Sequence, residues 1–357
     1  MRIVAKIGTS SLTDREGRVD VAAVAKLCAE TAKLRADGHD VLIVSSGAVA
    51  AGMPFLGLTE RPRDPLTLHA VAAVGQSRLV QVYNDRLSGH GLVAGQVLIS
   101  PYDFFERTLY LQAKATLGRL LELGVVPVVN ENDALAATDL RFGDNDRIAA
   151  LLAHLVGADL LVLLTDTAGV FTADPRLDAE ASLVEEILEV DRALREVAAG
   201  GAGSARGSGG MASKLAAARI AAWSGVRTVI AAADRDGVLH DALDGVAGVG
   251  TVVQPLTKRL AARKLWIAFA LPATGVVVVD AGARRALEER NTSLLPVGVT
   301  TVRGEFAAGD AVELTGPDGE TFAKGLVRTD STSIRRQAGK RGPAEVIHRD
   351  ELVLVRR

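Results

Sequence analysis

Two carboxylates flank an amide in the segment Gly143-Asp144-Asn145-Asp146, immediately before an apolar run that begins at Ile148. Asp and Asn cap helix N-termini, because their side-chain oxygens accept hydrogen bonds from free backbone N–H groups and their charge suits the positive end of the helix dipole. One such cap is enough for one helix. The extra polar side chains also fit a loop that binds a cation, such as an ammonium group or Mg²⁺. Taken alone, the segment leaves both interpretations open.

A second polar group, Asn130-Glu131-Asn132-Asp133, directly follows the apolar run 125–129. These four consecutive side chains can all bind a polar or ionic ligand, and capping alone does not account for them. We therefore favour a binding function for this group.

Lysines beside glycine-rich turns indicate a region for anions. Lys6 lies just before Gly8 at the end of the first apolar run, and Lys214 follows Gly209 and Gly210 in the first turn of a predicted helix. Such turns present backbone N–H groups to phosphate, and a lysine adds positive charge. The spacing is neither the P-loop pattern nor the G-x-G-x-x-G of dinucleotide sites. A phosphate-binding region beside an acidic one indicates phosphoryl transfer to an amino acid.

The elements that must position these groups alternate regularly through the first two thirds of the chain. Strands are predicted at 3–7, 41–44, 93–98, 125–129, 160–164 and 228–231, and helices at 21–35, 66–87, 110–123, 147–156 and 211–223. Continuous apolar strands that alternate with helices indicate a mostly parallel sheet covered on both faces. We therefore predict an α/β fold, a three-layer αβα sandwich. Ligands of such sheets bind beyond the carboxyl ends of the strands.

The regular alternation weakens after Pro255. Short strands separated by Gly and Pro turns are predicted at 275–280, 297–302, 311–314 and 323–327, with one helix at 283–290. Charge divides there as well, since residues 1–253 carry 24 basic and 31 acidic side chains and residues 254–357 carry 17 and 12. We predict a catalytic domain at 1–254, a linker at 255–273 and a small β-rich domain at 274–357.

Composition narrows the class of protein. The chain has 357 residues, of which 48% are hydrophobic and only 4% aromatic, so its core consists mainly of Ala, Val, Leu and Ile. Cys28 is the single cysteine, which excludes an internal disulfide and a cysteine-based zinc site. No apolar run approaches the about 20 residues of a membrane span. The residues from Met1 read as a strand instead of a signal peptide, so we expect a cytoplasmic protein without a membrane partner.

Seven motifs carry a resemblance to a known family, and they lie at 5–10, 44–52, 73–76, 129–133, 142–146, 164–166 and 209–214. Together they resemble the glutamate 5-kinases of the amino-acid kinase family, and residues 272–350 resemble the PUA domain that many members carry. The resemblance implies ATP-dependent phosphorylation of the L-glutamate γ-carboxylate to γ-glutamyl 5-phosphate, the first step of proline biosynthesis. It also implies ATP as co-substrate and Mg²⁺ as cofactor, with no side chain assigned as a direct metal ligand.

The same resemblance implies roles for individual residues. The catalytic group is Lys6, Asp146 and Lys214. The substrate-binding group is Ser46, Asn132, Asp133, Asp144 and Asn145, in which Asn145 contacts glutamate directly and Asp144 and Asp146 shape the field for its ammonium group. The ATP-binding group is Lys6, Thr165, Asp166, Ser208, Gly209, Gly210, Met211, Ala212, Ser213 and Lys214. Ser208 stands where threonine is usual in the family, and Ala212 stands where a small hydroxyl residue is usual.

Two alternatives remain open. Another amino-acid kinase, acting on N-acetylglutamate, aspartate, carbamate or UMP, would share the glycine turns, but an acetylated acceptor has no ammonium group to match so many carboxylates. A PUA-type RNA-binding protein would need a basic surface. Outside Lys258, Arg259, Arg263 and Lys264, residues 254–357 carry 13 basic and 12 acidic side chains, so we do not expect RNA as a partner.

Further partners follow from the resemblance alone. It implies L-proline as a feedback inhibitor, γ-glutamyl phosphate reductase as a partner and a homo-oligomeric state.

Overall fold

The computed structural model describes residues 1–100, 102–135, 144–175, 177–178, 180–199, 210–256, 259–342 and 344–355. The chain divides into two compact units, Met1–Arg259 and Leu260–Arg357. Within the described ranges, no helix has both the length and the hydropathy needed to cross a bilayer.

Among the described residues, an eight-stranded sheet forms the middle layer of the first unit. Its strands are β1 (Arg2–Ile7), β2 (Asp40–Ser45), β3 (Ala94–Ile99), β4 (Val126–Glu131), β5 (Leu160–Thr165), β6 (Glu186–Ile187), β7 (Arg227–Ala232) and β8 (Thr251–Val253). Their order across the sheet is β3-β4-β2-β1-β5-β7-β8-β6. Neighbouring strands are parallel, apart from the antiparallel pair β7 and β8.

Helices pack on both faces of this sheet. The described helices are α1 (Thr9–Leu12), α2 (Val21–Ala36), α3 (Ala48–Gly52), α4 (Pro65–Ser88), α5 (Tyr102–Phe105), α6 (Arg107–Glu122), α7 (Asn145–Val156), α8 (Val190–Ala199), α9 (Met211–Trp223) and α10 (Val238–Asp244). On one face, Ile3, Ala5 and Ile7 of β1 join a buried apolar cluster with side chains of α2, α4 and α10. On the other, α7 contacts β1 and α9, and α9 contacts β7. This arrangement confirms the predicted αβα sandwich.

The predicted strands and helices of this unit are all present, with ends shifted by no more than three residues. Strand β4 extends beyond its apolar run and includes Asn130 and Glu131, which are both buried. The sequence did not indicate β6 and β8, because two or three residues are too few to show a periodic pattern. Helices α8 and α10 were also missed.

The second unit contains a five-stranded sheet in its described part, which confirms the β-rich character predicted for it. Its strands are β9 (Gly275–Val279), β10 (Val299–Arg303), β11 (Ala311–Thr315), β12 (Thr321–Leu326) and β13 (Leu352–Leu354), and its helices are α11 (Ala262–Leu265), α12 (Ala281–Arg290) and α13 (Ser331–Gln337). The strand order is β10-β9-β11-β12-β13, with β9 parallel to β11 and the other pairs antiparallel. The predicted linker includes α11 and a π-helical turn at Trp266–Ala270.

Candidate active site

Lys6, Asp146 and Lys214 form a buried ion-paired triad. The Asp146 Oδ1 atom lies 2.5 Å from Lys6 Nζ, and its Oδ2 atom accepts a hydrogen bond from Lys214 Nζ at 3.0 Å. The three side chains are only 4%, 0% and 7% exposed, respectively. Two ammonium groups and one carboxylate give the triad a formal charge of +1, so it presents net positive charge inside the protein.

Local structure explains why these three side chains meet. Side chains alternate along a strand, so Lys6 of β1 points away from the face that carries Ile3, Ala5 and Ile7. Helices α7 and α9 pack on that opposite side, with Asp146 and Lys214 in their first turns. The N-termini of helices favour anions. The triad therefore combines two lysines with two helix N-termini, an arrangement suited to phosphate.

Asp146 lies between the two lysines with which the sequence grouped it. Both of its carboxylate oxygens face lysine ammonium groups of the chain itself. Asp146 is therefore placed where it can hold Lys6 and Lys214 at a fixed spacing.

Asn145, the neighbour of Asp146, belongs to a different network. Its Nδ2 group donates to Ser46 Oγ at 2.9 Å and to Asn130 Oδ1 at 2.9 Å, with the backbone oxygen of Ser45 at 3.3 Å. These partners lie at the carboxyl ends of β2 and β4. The structure thus brings together Ser46 and Asn145, which the sequence placed in one binding group, and adds Asn130.

Asp144 caps α7, because its carboxylate accepts a hydrogen bond from the backbone N–H of Asp146 at 2.8 Å. Burial, with a further contribution from the negative charge of Asp146, raises the pKa of Asp144 to about 6. Burial also lowers the pKa of Arg147, which lies in the first turn of α7. The capping interpretation therefore holds for one of the two carboxylates of this segment.

Asn132 and Asp133 lie in the turn that follows β4. The backbone N–H of Asn132 donates to the carbonyl of Ile99 in β3 at 2.8 Å, and that of Asp133 donates to the carbonyl of Glu131 at 2.9 Å. Both side chains are half-buried. The turn is thus tied to the sheet edge close to Asn130.

The residues expected to bind ATP occupy two described segments. Thr165 is the last residue of β5, and its hydroxyl donates to the Asp166 carboxylate at 3.0 Å. Gly210 precedes α9, and the backbone N–H groups of Met211 and Ala212 come before the first hydrogen bond within that helix. Ser213 and Lys214 complete the first turn. Ser208 and Gly209 lie outside the described residues.

Sequence reasoning missed two supporting side chains of the site, Gln76 and Tyr83, and did not predict the contacts of Asn130. Asn130 accepts from Asn145, Gln76 accepts from Asn130, and Tyr83 bonds to Ser45. Gln76 and Asn130 lie inside the motifs quoted above, but their contacts cross long stretches of sequence. Strand order and the packing of α4 on the sheet bring them together.

The donor set does not form a metal cage. Within the described residues, no three His, Cys, Asp or Glu side chains are grouped so as to hold a metal ion. Both Asp146 oxygens already face lysines. Mg²⁺ commonly binds through substrate phosphates and few carboxylates. The site therefore fits an ion that arrives bound to a nucleotide better than a resident one.

Comparison with known proteins shows the family of the chain. Residues 1–232 match the model of the amino acid kinase family, and residues 275–349 match that of the PUA domain. The chain is 42% identical to a glutamate 5-kinase of Pelobacter propionicus, over 99% of this chain and 97% of that one. It is 46% identical to a glutamate 5-kinase of Burkholderia multivorans, over 99% and 98%. A crystal structure of UMP kinase from Bacillus anthracis has a TM-score of 0.49 at 16% identity, covering 71% of this chain and 95% of that one. From the family model and the two glutamate 5-kinases, the chain belongs to the amino acid kinase family, among its glutamate 5-kinases.

Proposed function

We propose that this chain transfers the γ-phosphoryl group of ATP to the γ-carboxylate of L-glutamate, forming γ-glutamyl 5-phosphate and ADP, the first step of proline biosynthesis. The observation that carries the proposal is the buried triad Lys6–Asp146–Lys214 beside the Asn145 network. One group is built for phosphate and the other for a polar acceptor. The similarity to glutamate 5-kinases over nearly the whole chain supports the same reaction.

The acceptor itself explains the absence of a general base from the proposed machinery. A glutamate side chain has a reference pKa of about 4.3, so it is already an anion at neutral pH. The difficulty is instead to bring two anions together. Fixed positive charge that faces the transferring phosphoryl group offsets this repulsion and lowers the barrier. Lys6 and Lys214 supply that charge, and Asp146 keeps them at a fixed spacing.

The amino acid occupies the side of the site next to the ends of β2 and β4. Asn145 contacts it directly, and Ser46, Asn132 and Asp133 line the same edge. Asp144 adds negative charge near the position of the ammonium group once its carboxyl is ionised. Holding the acceptor in line with the phosphoryl group supplies much of the rate enhancement, because it removes the entropy cost of bringing two reactants together.

ATP occupies the side next to the carboxyl end of β5 and the N-terminus of α9. The backbone N–H groups at the start of α9 face its phosphates together with Lys6 and Lys214, and Thr165 and Asp166 bind beyond them. Ser208 and Gly209 belong to this region by the family resemblance. Mg²⁺ enters with the nucleotide as part of the substrate and neutralises phosphate charge there.

Several further properties belong to the same proposal. We assign the catalytic domain to 1–254, the linker to 255–273 and the PUA-like domain to 274–357. We also propose a cytoplasmic homo-oligomer that L-proline inhibits. Acyl phosphates hydrolyse readily, which favours direct delivery of the product to γ-glutamyl phosphate reductase.

ADP release by the purified full-length chain tests the proposal. We expect release with L-glutamate and a much lower rate with N-acetylglutamate, aspartate, carbamate or UMP. Added hydroxylamine should trap γ-glutamyl phosphate as its hydroxamate, which distinguishes transfer to the carboxylate from ATP hydrolysis. Preferential turnover of any other acceptor would refute the assignment. Inhibition by L-proline is read in the same assay.

A further inference from the structure

Helix α4 contacts the amino-acid side of the site through two polar side chains that the proposed mechanism does not use. Gln76 Oε1 accepts a hydrogen bond from Asn130 Nδ2 at 2.9 Å. The Tyr83 hydroxyl lies 2.9 Å from Ser45 Oγ and is completely buried. Gln76 and Tyr83 are seven residues apart, about two helical turns, so they share one face of α4.

Backbone groups fix how the amides in this network are oriented. Asn130 Oδ1 accepts from the backbone N–H of Glu131 at 2.9 Å, and a backbone N–H can only donate. Asn145 Nδ2 lies 3.3 Å from the backbone oxygen of Ser45, which can only accept. The Asn130 NH₂ group must then face Gln76, whose oxygen must accept. Gln76 thus completes a relay that runs from α4 through Asn130 to Asn145.

The relay leaves one atom without a partner. Asn145 Oδ1 is buried and has no hydrogen-bond partner among the described residues. A buried acceptor of this kind destabilises the protein unless a donor reaches it. An ammonium group is a strong donor with three N–H bonds and no acceptor. The orientation that the backbone groups set, and that the Gln76 hydrogen bond supports, therefore directs an amide oxygen toward the part of the acceptor that carries positive charge.

The backbone holds Gln76 itself in place. Its neighbour Gly75 packs so closely on α3 that a Cβ atom there would lie 1.8 Å from the carbonyl oxygen of Ala48. A Cβ atom on Gly52, in α3, would lie 2.1 Å from the carbonyl oxygen of Val71. Helix α3 begins two residues after Ser46, so the glycine contact joins the Ser46 loop and the relay into one unit.

We propose that Gln76 is a positioning residue that acts through Asn130 to hold the Asn145 amide oxygen toward the acceptor, and so selects an acceptor with a free ammonium group. This role rests on the function proposed above, because it requires Asn145 to bind the ammonium group of the amino acid. The hydrogen bond of Gln76 joins the Asn145 network and not the triad, so its effect falls on acceptor binding and not on phosphoryl transfer.

The test compares Gln76→Met with Gln81→Met in the full-length protein. Gln81 lies on the exposed side of the same helix and donates to Asp85, so it controls for loss of a glutamine from α4. For Gln76→Met we expect the KM for L-glutamate to rise about tenfold, the effect of one lost charge-assisted hydrogen bond. We expect kcat, the KM for ATP and the inhibition constant of glutarate, which lacks the ammonium group, to stay near wild-type values. Equal weakening of L-glutamate and glutarate would overturn the proposal.

A double-mutant cycle with Asn145→Ala separates positioning from general damage. If Gln76 acts through Asn145, adding Gln76→Met to Asn145→Ala should raise the KM for L-glutamate no further. Additive effects would overturn the proposal. Gln76→Glu keeps an acceptor oxygen for Asn130 and should restore the wild-type preference for L-glutamate over glutarate. If Gln76→Met does not fold, the test rests on Gln76→Glu. A Gln76→Glu protein that loses the preference for L-glutamate over glutarate would refute the relay.

Failure of the proposed function can be distinguished from failure of the Gln76 relay. A wild-type protein that phosphorylates another amino acid refutes glutamate as the acceptor. The same cycle, run with that acceptor and its ammonium-free analogue, then supports or refutes the relay.

Discussion

Replacing Asp146 by Asn removes a buried carboxylate that pairs with both Lys6 and Lys214. The substitution keeps the shape of the side chain and changes the formal charge of the triad from +1 to +2. Breaking a buried ion pair by removing one partner costs about 3–5 kcal/mol, because the other charge stays buried and uncompensated. Here two ammonium groups lose the same partner at 2.5 and 3.0 Å, in a pocket where Asp146 is 0% exposed. We therefore expect the free energy of unfolding to fall by about 4 kcal/mol.

The effect on catalysis should exceed what lost stability explains. Asp146→Asn removes the carboxylate that bridges the two lysines, and misplacing catalytic groups by about 1 Å can cost about 10²-fold in rate. We expect kcat to fall by about that factor while ATP binds at least as tightly, since the substitution makes the formal charge of the triad more positive by one. Saturating ATP should thus stabilise the Asp146→Asn protein more than the wild type.

Urea unfolding with and without ATP, together with steady-state kinetics, measures both effects. Glu30→Gln is the matched control. Glu30 is another buried carboxylate, and it accepts hydrogen bonds from Lys26 and from the backbone N–H groups of Gly237 and Leu239. Its loss should also lower stability, but ATP should stabilise that variant no more than the wild type. An Asp146→Asn protein with wild-type stability and wild-type kcat would refute the reasoning about the triad.

The remaining predictions concern single side chains of the site. Lys214→Ala should lower kcat by about 10²- to 10³-fold with a much smaller change in the KM for L-glutamate, and an unchanged kcat would remove Lys214 from the transition-state role. Asp133→Ala and Asn145→Ala should weaken L-glutamate binding by about tenfold or more, measured by calorimetry, and a selective loss of ATP binding would contradict the assignment. Asp144→Asn keeps a good helix cap but removes a carboxyl whose pKa burial raises from 3.8 to about 6. The folded wild-type protein holds that proton more tightly than the unfolded chain, so Asp144 lowers stability as the pH rises from 3.8 to about 6. In denaturant titrations, the stability of the variant relative to wild type should therefore increase by about 2 kcal/mol over this interval and level off about one pH unit above it, at a total of about 3 kcal/mol. A constant difference from pH 3.8 upward would contradict the shifted pKa.

Much of the fold could be predicted from local patterns. Runs such as those in β1 and β5 are apolar at nearly every position because both of their faces are covered, and their ends follow directly from the sequence. Strand β4 is longer than its apolar run, because Asn130 and Glu131 are also buried, and Asn130 bonds to polar partners that lie elsewhere in the chain. A pattern of hydrophobicity cannot show such partners.

The sequence predicted the location of the site, at the carboxyl edge of the sheet. It did not predict which side chains contact each other there. The rule that ligands bind beyond the carboxyl ends of parallel strands selected Lys6, Ser46 and Asp133 for inspection. Which residue meets which depends on strand order and helix packing. Asn145 reaches Ser46 across 99 residues of sequence, and Asp146 reaches Lys214 across 68. The acidic segment therefore looked like a single group in the sequence, although its members face different partners.

The first turn of α7 joins the two halves of the proposed reaction. Asn145 contacts Ser46 and Asn130 on the acceptor side, whereas the next residue, Asp146, pairs with Lys6 and Lys214 on the phosphate side. Successive residues of a helix point about 100° apart, so one turn can serve both directions. A shift of α7 would then move the acceptor and the catalytic lysines together. The Asp144 cap, which fixes where α7 begins, consequently helps to hold both Asn145 and Asp146 in register with their partners.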